Sequence, residues 1–227
     1  MLNTIEKLTE IFKEFPGIGE RQAGRFVYFL MSRGSGYTEN FSNLVKDLKK
    51  EINQCSECFR FFILKNQQCP SLTPQYIEDS INTKKLISIC EICANADIDP
   101  TTLLVLEKDS DLESIKKSKT YNGKYFILGG LVPIVEKNTK SKIRIEKLKQ
   151  KILENKNQST PPLKEIILAF SLNPHGNHTD FYIRNELKNL TESLNIKISS
   201  LGRGLSTGIE IEYSDNDTIQ NALKNRQ

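Results

Sequence analysis

The sequence predicts a multi-module α+β/α/β protein with four parts. These are an N-terminal helical pair joined by a tight turn, a metal-held cysteine segment, an α/β domain with a mainly parallel sheet, and a C-terminal strand and helix. Three observations carry this prediction. Apolar residues recur at a helical period over the first fifty positions, two Cys-x2-Cys pairs stand at Cys55/Cys58 and Cys90/Cys93, and short apolar runs alternate with helical patterns from Leu103 onward.

Leu2, Ile5, Leu8, Ile11 and Phe12 keep a helical spacing, and Phe26, Phe29 and Leu30 resume it after Phe15-Pro16-Gly17-Ile18-Gly19. Phe41, Leu44, Val45 and Leu48 mark a third amphipathic segment. Gly17 and Gly19 free the backbone to turn sharply and to approach a ligand closely. The unpaired N–H groups at the start of the second helix suit a phosphate, and Arg21 and Arg25, one turn apart, flank it from one face. The pattern reads as a helix-hairpin-helix, which holds DNA by its backbone. A plain helical hairpin with solvated arginines fits the short motif equally well.

Each Cys-x2-Cys knuckle can place two thiolates on one tetrahedral Zn²⁺, although 31 residues separate Cys58 from Cys90. Four thiolates leave no open coordination position, which makes the expected zinc structural, one per chain. Cys69 is the spare, with replacement of one of the four ligands as the alternative.

Strands are expected at Leu103–Leu106, Tyr125–Leu128, Ile166–Phe170, Ile196–Ile198 and Ile209–Tyr213. Helices are expected near Asp111–Lys117, Ile143–Leu153 and Thr179–Leu194, with a last one from about Asn216. Their alternation argues for a partly parallel sheet. The run 137–151 holds seven Lys/Arg against one Glu; it reads first as a solvated helix face with a loop, and second as a nucleic-acid contact. Glu107 closes the first strand, where open α/β sheets place their sites, and Asp109 and Asp111 follow it.

The 227 residues are 37% hydrophobic and 26% charged, enough for folded cores. The net charge of +4 is compatible with nucleic acid without selecting it. No run reaches the roughly 18 apolar residues of a membrane span, and the charged start does not read as a signal peptide. A cytoplasmic protein is expected, where five cysteines favour metal over disulfides.

Taken in order, these segments resemble the RecR family of bacterial recombination mediators across nearly the whole chain. The resemblance rests on Phe15–Phe26, the two cysteine pairs, Leu106-Glu107 with Asp111, the run Tyr121–Gly130, and Pro133. It continues through Arg203-Gly204, Gly208, Glu212-Tyr213, Asp215, Thr218, Ala222 and Arg226. It implies a helix-hairpin-helix DNA-binding region (1–53), a four-cysteine zinc finger (54–98), a Toprim domain (99–195) and a strand-helix assembly region (196–227). It also implies a dimeric or tetrameric ring that clasps single- and double-stranded DNA and acts with RecO-like and RecF-like partners so that RecA loads at gaps. By position it makes Arg21 and Arg25 DNA contacts, the four paired cysteines zinc ligands, and Glu107 and Asp111 acids of the first Toprim strand or of a partner contact.

The chain departs from the family pattern twice. An insertion occupies 59–89, and the acids after the strand at Glu165–Phe170 give way to Ser171–Thr179, with His175 and Asn177 in their place. The competing hypothesis is a Mg²⁺-dependent Toprim enzyme that nicks DNA or transfers nucleotides. Such chemistry needs carboxylates on two strands to hold the metal against phosphate. Glu107 supplies the first, but Asp109-x-Asp111 follows the wrong strand, so no catalytic activity is expected. His175 and His178 provide two ligands, too few to close a metal site.

Overall fold

The computed structural model describes residues 2–63, 75–78, 84–134, 143–157, 161–202, 204–205, 208, 210–214 and 216–224. It divides into two compact units, Met1–Ile52 and Asn53–Gln227.

The first unit is helical. Helix α1 (Thr4–Lys13) opens with a capping box in which the Asn3 side chain accepts from the Glu6 N–H while Glu6 reaches back to the Asn3 N–H. Helix α2 (Glu20–Met31) packs against it through Phe12, Ala23 and Val27, flanked by Leu8, Ile18, Phe26 and Leu30. Phe12 meets Phe15 and Phe26 edge-on, both at 5.6 Å between ring centroids. Helix α3 (Ser35–Glu51) buries none of its residues, and Phe41, Leu44, Val45 and Leu48 stay exposed.

The second unit is built on a four-stranded, all-parallel sheet of β5 (Asp99–Leu106), β6 (Gly123–Ile127), β7 (Glu165–Ala169) and β8 (Lys197–Ser200) in the order β6-β5-β7-β8. Strand β5 lies inside the sheet, so both faces of Leu103–Leu106 are covered, as the unbroken apolar run anticipates. Leu103 and Val105 face a core made with helices α5 (Ile145–Asn157) and α6 (Pro174–Leu194). Leu104 and Leu106 face α4 (Asp109–Ser118) and the cysteine knuckles.

Two short antiparallel pairings precede the sheet. Strand β1 (Ile52–Gln54) pairs with β2 (Phe61–Ile63). Between the two cysteine pairs, β3 (Gln75–Glu78) pairs with β4 (Lys84–Ile87) from Gln75↔Ile87 to Glu78↔Lys84.

The observed elements revise the sequence reading at several places. The cysteine segment is no free-standing module: Cys55, Cys58 and Cys90 share a core with Leu104, Leu106, Leu112, Tyr125 and Ile127. So few residues cannot bury a core of their own. The boundary expected after 195 falls inside the sheet, because β8 pairs with β7. Helix α6 starts at Pro174 rather than Thr179, and α7 (Asn216–Lys224) forms where expected. Ile211–Tyr213 is a 3-10 turn rather than a strand, with Ile211 and Tyr213 exposed and no neighbouring strand among the described residues to pair with.

Candidate nucleic-acid interface and metal centre

In the first unit, α1 gives way to a turn in which the Ile18 N–H donates to the Phe15 carbonyl at 3.0 Å. Gly17 sits at φ +77°, the left-handed region that suits glycine. Gly19 is the N-cap of α2, without a side-chain cap, and the first helical bond runs from the Ala23 N–H to the Gly19 carbonyl at 2.9 Å. The N–H groups of Glu20, Arg21 and Gln22 therefore have no intrahelical acceptor. Arg21 and Arg25 are both exposed and form no ion pair among the described residues. A phosphate at this turn would meet free N–H donors with two guanidinium groups beside them.

In the second unit, the Sγ atoms of Cys55, Cys58, Cys90 and Cys93 all lie within 4.8 Å of one another. Cys58 and Cys90 are 3.6 Å apart. Tetrahedral Zn–S bonds of about 2.3 Å put the sulfurs about 3.8 Å apart, so the cluster fits zinc. Three of the sulfurs are buried and Cys93 is partly exposed. Hydrogen bonds from the other three thiols hold Cys55 far below its usual range, Cys58 foremost; hydrogen bonding from Cys55, Cys58 and Cys90 pushes Cys93 far above it. The sulfurs cannot all ionise together without a cation, and metal binding releases the protons they share.

Backbone bonds explain how distant knuckles meet. The Cys55 N–H donates to the Arg60 carbonyl at 2.9 Å, and the Ser56 N–H donates to the Ser88 carbonyl at 2.9 Å. The intervening chain thus leaves and returns at adjacent residues. Phe59, at φ +63°, closes the first knuckle. The finger is tied to the sheet by the Ile127 N–H, which donates to the Cys58 carbonyl at 2.8 Å on the outer edge of β6. Arg60, only 8% exposed, bridges Glu91 and Glu113, each at 3.0 Å. Lys151 reaches the Glu57 carboxylate at 3.0 Å and its carbonyl at 2.6 Å. Nothing in the local sequence around Arg60 signals this bridge, since Glu113 is contributed by α4. Cys69 lies outside the described residues.

The carboxyl end of the sheet is polar and sparse. Glu107 follows β5, and the Ser171 hydroxyl donates to it at 3.3 Å. Asp109 accepts the Phe61 N–H at 2.7 Å, and Asp109 and Asp111 lie in the first turn of α4, where their charge favours the helix dipole. Asn173 caps α6 by accepting the Gly176 N–H at 2.8 Å. His175 and Asn177 therefore belong to the first turn of that helix, not to a loop; the Asn-Pro pair at 173–174 was the sequence signal for it. The described residues contain no metal-binding group of side chains beyond the four cysteines.

A family model described as the Toprim domain matches residues 101–201, the span from β5 through β8. The recombination protein RecR of Bacteroides thetaiotaomicron is 31% identical over 98% of this chain and 92% of its own length. The chain belongs to the RecR family. The RecR proteins of Lactobacillus acidophilus and Legionella pneumophila are each 29% identical, covering 98% and 99% of this chain and 96% and 98% of their own lengths. In this RecR family member the similarity spans nearly the whole chain, from the helical hairpin through the cysteines to the Toprim sheet. Among the described residues, no helix is long and apolar enough to cross a membrane.

Of the basic run at 137–151, residues 137–142 lie outside the described residues. Lys149 is paired with Glu186 at 2.6 Å and Lys151 with Glu57, so these two lysines are engaged within the chain.

Proposed function

We propose that this chain is a non-catalytic mediator of recombinational DNA repair that holds single- and double-stranded DNA through the α1–α2 hairpin. The observation that carries this reading is the pair Arg21 and Arg25, exposed, unpaired and in line with the uncapped start of α2. The full-length similarity to recombination proteins of the RecR family supplies the biological setting. By that kinship the chain works with RecO-like and RecF-like partners to let RecA load at gaps, in the cytoplasm at the nucleoid.

Cys55, Cys58, Cys90 and Cys93 hold one structural Zn²⁺ in this reading. The soft thiolate donors and the span of their sulfurs support zinc over other divalent ions. Glu107 and Asp111 serve partner contact rather than catalysis, because His175 and Asn177, in the first turn of α6, stand where the second set of carboxylates would be needed. The chain assembles as a dimeric or tetrameric ring, with 1–53 as its DNA-holding region and the residues after β8 as its assembly region. Support for assembly comes from an apolar cavity of about 570 Å³ between α1, α2 and α3, lined by Ile5, Leu8, Phe12, Leu30, Phe41 and Val45 among others.

The test is DNA affinity across a salt series for the Arg21→Ala/Arg25→Ala double variant. Loss of two phosphate contacts should weaken duplex binding and flatten the slope of log K against log salt by about 1.8. A folded double variant with unchanged affinity and slope would remove the hairpin from DNA binding.

A further inference from the structure

The surface of α2 holds more than its two arginines. Residues advance about 100° each around a helix, which places Arg21, Arg25 and Tyr28 within an arc of about 60°, bordered by Gly24. Ala23 and Val27, at 0% and 1% exposure, point roughly the other way, into the hairpin core. Tyr28 is 65% exposed, and its side chain forms no hydrogen bond or ring contact among the described residues; only its backbone carbonyl is engaged, accepting the Ser32 N–H at 3.0 Å. Its neighbour Phe29 is already engaged: it takes the Arg33 guanidinium at 4.4 Å and meets Tyr37 edge-on at 6.0 Å. Tyr28 also lies off the apolar cavity, which α2 lines with Val27, Leu30 and Met31.

Gly24 has no packing reason to be glycine. A Cβ there would meet nothing within 4 Å, and alanine is the better helix former. What the glycine does provide is helix surface without a side chain one turn before Tyr28, at the border of the stripe.

We propose that Arg21, Gly24, Arg25 and Tyr28 form a seat for an unpaired base of single-stranded DNA. Arg21 and Arg25 hold successive backbone phosphates, the base stacks on the Tyr28 ring, and Gly24 lets the nucleotide lie close to the helix. Every base offers a face for stacking, so the seat tolerates any sequence. In a duplex those faces are covered by neighbouring bases, so the seat adds affinity for single strands only. The positive charge of the two arginines, without an ion pair among the described residues and on the same stripe, argues for a nucleic-acid strand over an apolar protein segment as its occupant. This inference rests on the hairpin as the DNA contact.

The experiment compares binding of a thymidine oligonucleotide and of a duplex of equal length to full-length variants. Tyr28→Ala should weaken single-strand binding about tenfold and leave duplex binding within about twofold. Gly24→Gln, which covers the floor of the seat, should do the same. Tyr28→Trp should retain single-strand affinity, and as the chain has no other tryptophan, its emission should be quenched by the oligonucleotide and not by the duplex. Equal loss of both affinities in Tyr28→Ala, no loss of either, or a fall in its mass by light scattering would overturn the seat. A wrong hairpin assignment shows itself separately, as undiminished binding of both DNAs by Arg21→Ala/Arg25→Ala.

Discussion

A Cβ on Gly176 would overlap the Ser171 carbonyl oxygen, because the first turn of α6 passes directly over the end of β7. Gly176→Ala should therefore cost about 3 kcal/mol through a backbone shift that no side chain can relieve. Thermal denaturation with a correspondingly lower Tm is the check. Arg60 is constrained differently. Its guanidinium is buried, but Glu91 and Glu113 are 53% and 46% exposed, so solvent screens part of each pairing. Arg60→Ala should cost about 2 kcal/mol and lower Tm by about 5 °C, without changing bound zinc. Neither residue was legible in the sequence: Arg60 depends on Glu113, contributed by α4, and Gly176 on the way the backbone folds back over Ser171 as β7 gives way to α6. The four cysteines were legible, since a two-residue spacing is itself the geometry a metal needs. Arg21 and Arg25 were legible as well, being neighbours on a single helix.

At the scale of elements, the finger and the sheet depend on each other. The Ile127 N–H lies on the open edge of β6 and finds its acceptor in the Cys58 carbonyl, within the knuckle that would grip zinc. Chelating the metal should therefore speed exchange of the Ile127 amide while leaving that of Leu168, inside the sheet on β7, protected. Hydrogen exchange read by NMR would show it, and equal protection at Ile127 before and after chelation would break the link. The metal should also leave in acid: the thiolates must take up protons to release it, so zinc occupancy falls as pH drops. Periodicity located the four strands of the parallel sheet and the helices around them, because the apolar runs match what such a sheet buries; it gave no strand in the cysteine segment, where β1 to β4 form. It failed at Ile211–Tyr213. An alternating apolar triplet resembles a strand in any sequence, but a strand exists only where another lies beside it.

For the whole molecule, the net charge of +4 conceals its distribution. Lys149 and Lys151 of α5 are engaged by Glu186 and Glu57, whereas Arg21 and Arg25 of α2 form no ion pair among the described residues. Apolar residues are distributed as unevenly. Leu44 and Leu48 of α3 are 60% and 51% exposed, a cost in water that association removes. Leu44→Glu/Leu48→Glu should keep the helical content and lower the mass measured by light scattering; an unchanged mass would place assembly elsewhere. The sequence could mark α3 as amphipathic, but not leave its face uncovered, since that depends on how α1 and α2 close on each other.

The bond between the Ser56 N–H and the Ser88 carbonyl gives the insertion a doorway with both posts in one wall. Chain threaded between them can change in length without asking the metal ligands to move. The place is thus a natural port for engineering: a fluorescent or affinity module spliced between Ile63 and Lys84 should ride on the finger while zinc stoichiometry and DNA binding stay as they were.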